Sequence, residues 1–106
     1  MKILFDHCTP RPLRRNLVGH TVSTARELGW DRFRNGRLLA AAEEAGFDLL
    51  LSADQSIRYQ QNLAGRSIAL LVLTNPLWPK VKPHGEAIAR KVEEMTPGSY
   101  AEFVIT

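Results

Sequence analysis

The sequence predicts a single α/β domain over residues 1–106, with a mainly parallel sheet and helices on both of its faces. Short apolar segments that are typical of buried strands alternate along the chain with segments of helical periodicity. The length of 106 residues suits one small domain with one core. Strands that alternate with helices favour right-handed crossovers and parallel pairing, which together indicate this fold class.

Five strands are predicted, over residues 2–5, 20–25, 48–52, 67–74 and 100–105. The third strand, DLLLS, is apolar without interruption, which indicates burial on both faces. The last strand, YAEFVI, is predicted at an edge of the sheet. Four helices are predicted between the strands, over residues 10–18, 35–45, 55–64 and 83–95.

The helix boundaries follow from proline, glycine and capping residues. Prolines at positions 10 and 12 suit the first turn of the first helix, and Gly19 ends it. In the second helix Asn35 is the predicted N-cap and Gly46 the stop. The last helix has Pro83 near its start and is followed by a Pro-Gly pair.

Composition sets broad limits on function. Fourteen Lys and Arg residues against eleven Asp and Glu residues give a formal charge of +3, which permits an anionic partner without requiring one. Cys8 is the single cysteine, so no internal disulfide is expected and a reduced cytoplasmic setting is predicted. No apolar run approaches the roughly 20 residues needed to span a membrane, so no membrane partner is expected.

Two carboxylates are predicted at one edge of the sheet. Asp6 follows the first strand and Asp54 follows the third. Functional groups of parallel α/β sheets gather outside the carboxyl ends of the strands, and two neighbouring carboxylates favour a hard cation such as Mg²⁺. Asp54 is equally compatible with a simpler role as an N-cap, whereas Thr9 is the better candidate to cap the helix after Asp6.

Three segments together resemble a known family: ILFDHCTPRPLRRNL, GHTVSTARELGW and NGRLLAAAEEAGFDLLLSADQSI. Their order and spacing are similar to the short PIN-like domains of predicted prokaryotic nucleases, over roughly residues 2–75. The resemblance implies a parallel α/β sheet with acids at the strand ends and a ribonuclease that depends on Mg²⁺ or Mn²⁺. Many such proteins are toxins paired with a small antitoxin, which makes RNA and an antitoxin the expected partners.

The resemblance assigns site residues one at a time. Asp6 matches the first acid of the family, and Asp54 matches the first Asp of a Thr-x-Asp-x-Asp motif, so both are predicted metal ligands and catalytic residues. The second Asp of that motif falls on Ser56, and the acid at the start of the middle helix falls on Asn35. Glu27 is a further candidate for the acidic cluster. The missing acids predict a weakened two-metal site, because two-metal hydrolysis needs several carboxylates.

Basic and amide side chains near the predicted site suit a nucleic acid, because Arg grips phosphate and amides hydrogen-bond to base edges. The predicted nucleic-acid-binding residues are Arg11, Arg14, Arg58, Gln61 and Asn62. A further basic cluster comprises Arg32, Arg34 and Arg37. Each of these residues is also compatible with an ordinary solvated surface.

Three functional hypotheses follow. The first is a metal-dependent ribonuclease of PIN-like type, a candidate toxin. The second is a PIN-like module with weakened catalysis that binds RNA or a protein partner. The third is a phosphoacceptor receiver domain, suggested by Asp6, Asp54 and Thr74 at three strand ends and disfavoured by the lack of a second acid after Asp6. A homodimer through the terminal strand is also predicted, because a free strand edge invites pairing.

Overall fold

The computed structural model describes residues 1–56 and 65–106, except the side chain of Asn35. Its five strands are β1 (Lys2–Phe5), β2 (Thr21–Thr24), β3 (Leu49–Ser52), β4 (Ala69–Leu73) and β5 (Tyr100–Phe103). Three α-helices lie in the described part of the chain: α1 (Asn35–Glu44), α2 (Trp78–Val81) and α3 (Gly85–Glu94). Two 3₁₀ helices complete the set, Arg11–Asn16 and Lys82–His84. None of the described helices has the length and apolar character that a membrane span requires.

The sheet is parallel throughout and has the order β2-β1-β3-β4-β5. This is the order of flavodoxin-like doubly wound folds, in which strand order reverses between β1 and β3. The register pairs Phe5 with both Thr24 and Leu51, so the carboxyl ends of the first three strands lie side by side. The prediction of an α/β domain with a parallel sheet is confirmed, as is the edge position of the last strand.

Each face of the sheet carries its own apolar layer. Ile3, Phe5 and Leu71 pack with residues of the first 3₁₀ helix and of α3, such as Leu13 and Ile88. On the opposite face, β1, β3 and β4 pack against α1, and the participating side chains include Leu4, Leu50, Leu70, Leu38 and Leu39. Alternate residues of a strand point to opposite faces, which explains why these strands are apolar without a break. Helices therefore cover both faces, as predicted.

The predicted helix over residues 10–18 is shorter and tighter than expected. It is a 3₁₀ helix of six residues, in which the Leu13 N–H donates to the Pro10 carbonyl at 3.1 Å. Pro10 is its N-cap without a side-chain capping bond, so the expected cap by Thr9 is wrong. Two prolines remove two backbone donors from the first turn, and a short segment with few donors suits 3₁₀ geometry.

The other helix boundaries shift by smaller amounts. The N-cap of α1 is Arg34 in extended conformation, so the prediction of Asn35 as the cap is wrong, while Gly46 ends the helix region at φ +83° as expected. The last helix, α3, lies within the predicted range 83–95, and the short α2 before it was not predicted. At the start of α2 the Asn75 side chain accepts the Leu77 N–H at 2.9 Å. Residues 55 and 56 form a turn, and the rest of the helix predicted over 55–64 lies outside the described residues.

Candidate functional site

A cleft lies at the carboxyl ends of β1, β2 and β3, beside the reversal of strand order. It consists of two adjoining cavities of about 680 and 490 Å³, and His7 and Asp31 line both of them. The larger cavity is also lined by Asp6, Thr9, Arg11, Thr24, Arg26 and Glu27. The smaller one is also lined by Arg32, Phe33, Arg34, Asp54 and Ser56. This is where doubly wound folds bind ligands, so we take it as the candidate site.

Asp6 forms the buried floor of the larger cavity and is only 4% exposed. Its Oδ1 accepts hydrogen bonds from the backbone N–H groups of Cys8 and Thr9, both at 3.1 Å, and from the Cys8 thiol at 3.3 Å. The Thr9 hydroxyl lies 2.9 Å from the same oxygen and 2.7 Å from the Leu51 carbonyl. The Ser52 hydroxyl donates to Oδ2. Asp6 therefore joins β1, the following turn and β3, and we call Asp6, Thr9 and Ser52 the Asp6 clasp.

Asp54 holds its own turn. Its Oδ1 accepts the Ser56 backbone N–H at 3.0 Å and the Ser56 hydroxyl at 2.7 Å, and its own N–H donates to the Ser52 hydroxyl at 3.0 Å. Asp54 is half-buried, in contrast to Asp6. These bonds close a local turn between Asp54 and Ser56, and the helix that Asp54 was predicted to cap lies outside the described residues.

Cys8 experiences the charge of both carboxylates. Burial raises the pKa of the Cys8 thiol from its ordinary 9.0 to about 12, with further increases from Asp6 and from the charge of Asp54. Asp6 and Asp54 are thus close enough to the same thiol to act on it, as their predicted position on one edge of the sheet requires. Because the thiol stays protonated at neutral pH, it is a hydrogen-bond donor there rather than a nucleophile.

Glu27 is part of a capping box rather than of an acidic cluster. The Glu27 N–H donates to Thr24 Oγ1 at 3.1 Å, and Glu27 Oε1 accepts the Thr24 N–H at 2.8 Å. Arg14 donates to the same oxygen at 2.6 Å, and Arg11 lies 4.0 Å from Oε2. The hydrogen bond from Arg14, supported by the one from Thr24, lowers the pKa of Glu27 to about 2. Glu27 lies in the turn that follows β2.

The predicted nucleic-acid-binding residues separate into different environments. Arg11 lines the cleft with 70% of its side chain exposed, whereas Arg14 is committed to Glu27. Arg37 covers the Phe33 ring at 4.1 Å from its centroid. Arg58, Gln61 and Asn62 lie outside the described residues, as does the side chain of Asn35.

Three exposed arginines border the cleft, and we call Arg26, Arg32 and Arg34 the arginine rim. Within residues 1–56 and 65–106, no carboxylate lies within 4.0 Å of any of the three. Arg32 and Arg34 belong to the basic cluster predicted from the sequence, whereas Arg26 was not predicted. The capping box was not predicted either, although the spacing Thr-x-x-Glu at positions 24–27 is a signal for one.

The carboxylates of the cleft fit a metal poorly. No group of three or more His, Cys, Asp or Glu side chains is placed to hold a metal ion in the part of the chain that the structure describes. Both oxygens of Asp6 and Oε1 of Glu27 accept hydrogen bonds from the protein itself. Binding Mg²⁺ would require those oxygens to exchange protein donors for the cation.

The sheet order is also that of receiver domains, but the site differs from theirs. The Thr74 hydroxyl accepts the Ile105 N–H at 2.7 Å, so it helps to hold the C-terminal segment. The residue after Asp6 is His7 rather than a second acid. The receiver hypothesis therefore agrees with the fold but not with the residues that follow β1. No family model, curated protein or solved structure matches the chain.

Proposed function

We propose that this protein is a binding module of PIN-like type that takes single-stranded RNA in the cleft at the carboxyl edge of its sheet. The observation that carries the proposal is the arginine rim beside two adjoining cavities. Arg26, Arg32 and Arg34 are exposed, and their guanidinium groups can meet phosphates in bidentate geometry.

The charge balance of the cleft supports an anionic ligand once occupied groups are set aside. Asp6 is enclosed by hydrogen bonds, and Glu27 is neutralised by Arg14 with Arg11 nearby. The other charged residues that line the cleft are Asp31, Asp54, which is bonded to Ser56, and the three members of the arginine rim. Single-stranded RNA suits a cleft with buried acids and outer cations better than a rigid duplex, because its backbone can follow the rim.

The test is RNA binding in EDTA, measured by fluorescence anisotropy with a short labelled single-stranded RNA over a range of KCl concentrations. Arg32→Ala combined with Arg34→Ala should weaken binding several-fold. It should also reduce the salt dependence, because RNA binding releases fewer counterions when fewer phosphates are contacted. The matched control is Lys82→Ala combined with Arg90→Ala, which removes the same charge from exposed residues that line neither cavity. An equal loss in both double variants would contradict binding in the cleft.

A metal-dependent ribonuclease is the second candidate function, as the resemblance implies. One observation favours it: Asp6 and Asp54 line two adjoining cavities that share His7 and Asp31. Cleavage of the same RNA in Mn²⁺ that disappears in EDTA and in Asp54→Asn would establish this function. Binding of the RNA without cleavage would support the binding module and contradict the ribonuclease. The antitoxin partner and the homodimer stay predictions, and β5 at the sheet edge is the surface for a second copy.

A further inference from the structure

Asp6 stands apart from the other charged residues of the cleft by its burial. It is the one buried charged side chain among the residues that the structure describes. No Lys, Arg or His lies within 4.0 Å of it in that part of the chain. A buried carboxylate without a cationic partner is costly unless hydrogen bonds satisfy it.

The hydrogen bonds to Asp6 occupy most of its capacity as an acceptor. An ionised carboxylate offers about four lone-pair sites, divided between its two oxygens. Four of the five contacts converge on Oδ1: the N–H groups of Cys8 and Thr9, the Cys8 thiol and the Thr9 hydroxyl, which divides its single proton between Asp6 and the Leu51 carbonyl. Oδ2 accepts the Ser52 hydroxyl. A cation would therefore have to bind at Oδ2, beside Ser52.

A cation at Asp6 would also leave other groups without partners. The backbone N–H groups of Cys8 and Thr9 have Asp6 as their side-chain acceptor, and the Ser52 hydroxyl is completely buried. A cation on Oδ2 would compete with the Ser52 hydroxyl, which donates to that oxygen, and an unmet buried donor carries its full desolvation cost. The competition for Asp6 is therefore between a metal and the fold itself.

We infer that Asp6 is a structural clasp between β1 and β3 and binds no divalent metal, although the PIN-like resemblance assigns it the role of first metal ligand. An acid at this strand end serves as the acceptor of the Cys8 N–H and of the buried Ser52 hydroxyl, and it also accepts the Thr9 N–H and hydroxyl. The inference does not rest on RNA binding, and its test contains no RNA, so either proposal can fail alone.

The experiment compares melting temperatures in EDTA and in millimolar Mn²⁺ for the natural sequence, Asp6→Asn and the control Asp31→Asn. Asp31 lines both cavities, is exposed and accepts no hydrogen bond from the described residues. The clasp predicts that Asp6→Asn lowers the melting temperature in EDTA by roughly 5–10 °C, because an amide nitrogen then faces the Ser52 hydroxyl. Asp31→Asn should leave it nearly unchanged, and Mn²⁺ should shift none of the three.

A metal ligand predicts the opposite pattern. Removing one of two neighbouring carboxylates would leave the stability in EDTA unchanged or raised. Mn²⁺ would raise the melting temperature of the natural sequence by binding the native state, and Asp6→Asn would abolish the rise. Either of these outcomes overturns the inference.

Ser52→Ala keeps the test decisive if Asp6→Asn does not fold. It removes one donor to Asp6 and leaves the carboxylate in place, so the clasp predicts a smaller loss of melting temperature in EDTA. Where both variants fold, the double variant should lose less than the sum of the two single losses, because the residues share one interaction. Additive losses would show that the Asp6–Ser52 hydrogen bond does not stabilise the fold and would overturn the inference.

Discussion

The two sides of the cleft use their charges in opposite ways. On the inner side, the charged groups of the Asp6 clasp and of the Arg14–Glu27 pair form hydrogen bonds with other groups of the protein. On the outer side, the arginine rim is exposed and lies more than 4.0 Å from every described carboxylate. The inner charges therefore stabilise the fold, and the outer charges are available to a ligand.

This difference changes the meaning of an acid at a strand end. The position of Asp6 matches a metal ligand, but its hydrogen bonds match a structural residue. Hydrogen bonds to a buried charged group contribute about 1.5–3 kcal/mol each, whereas an exposed ion pair contributes about 0–1 kcal/mol. The buried carboxylate should consequently dominate stability, and the exposed cations should dominate binding.

The largest expected effect is the loss of stability in Asp6→Ala. The change leaves the N–H groups of Cys8 and Thr9 and the buried Ser52 hydroxyl without their carboxylate acceptor. The Thr9 N–H keeps its bond to the Asp6 backbone carbonyl. At about 1–3 kcal/mol for each of the two remaining donors, the free energy of unfolding should fall by at least about 2 kcal/mol. Urea denaturation followed by circular dichroism measures this loss.

Asp31→Ala is the matched control for that comparison. Asp31 is an exposed carboxylate of the same cleft, and exposed substitutions usually change stability by less than about 0.5 kcal/mol. Similar losses in the free energy of unfolding for Asp6→Ala and Asp31→Ala would contradict the distinction between an inner and an outer side.

The strands were predictable because their sequences carry the signal that decides their structure. Continuous apolar runs such as Leu49–Ser52 bury both faces of a parallel strand, and the observed strands begin and end within three residues of the predicted ones. Helix starts were less accurate. A segment with two prolines becomes an α-helix or a 3₁₀ helix according to how it packs on the sheet. The sequence of residues 10–18 by itself does not determine that packing.

The position of the acids was predictable, but their bonding was not. Asp6 and Asp54 each follow a predicted strand, and the carboxyl ends of parallel strands lie at one edge of the sheet, so the edge that carries both acids was predictable. The donors to Asp6 come from the next turn and from Ser52, which is 46 positions away in the chain. Only the folded register brings that hydroxyl to the carboxylate. The same holds for Arg14 and Glu27, which meet across 13 positions.

Glu27 belongs to the inner side, and we expect protonation of its carboxylate in acid to reduce stability by a smaller amount. Its pKa of about 2 lies below the ordinary 4.5, so the unfolded chain binds the proton more readily. The stability contributed by Glu27 is therefore complete above about pH 4.5 and is lost as the pH falls towards 2. Glu27→Gln should flatten the dependence of stability on pH in that window.

Glu44→Gln controls for the general effect of removing an acid. Glu44 is exposed at the end of α1. Melting temperatures at closely spaced pH values, in low and high salt, make the comparison, because the Arg14–Glu27 pair is partly exposed and salt screens it. Equal flattening in both variants would contradict a specific role for the pair.

The smallest expected effect concerns Cys8, and it tests whether Asp54 faces the clasp. The thiol has a pKa of about 12 against the ordinary 9.0, so it should react slowly with iodoacetamide at pH 8 and rapidly in denaturant. Because the folded state holds this proton more tightly, stability should also decline as the pH rises above about 9. Asp54→Asn removes a charge that raises the pKa, so it should speed labelling modestly, while Asp31→Asn should not. If Asp54→Asn leaves the labelling rate unchanged, Asp54 does not act on the thiol, and the two strand-end acids do not share one side of the cleft.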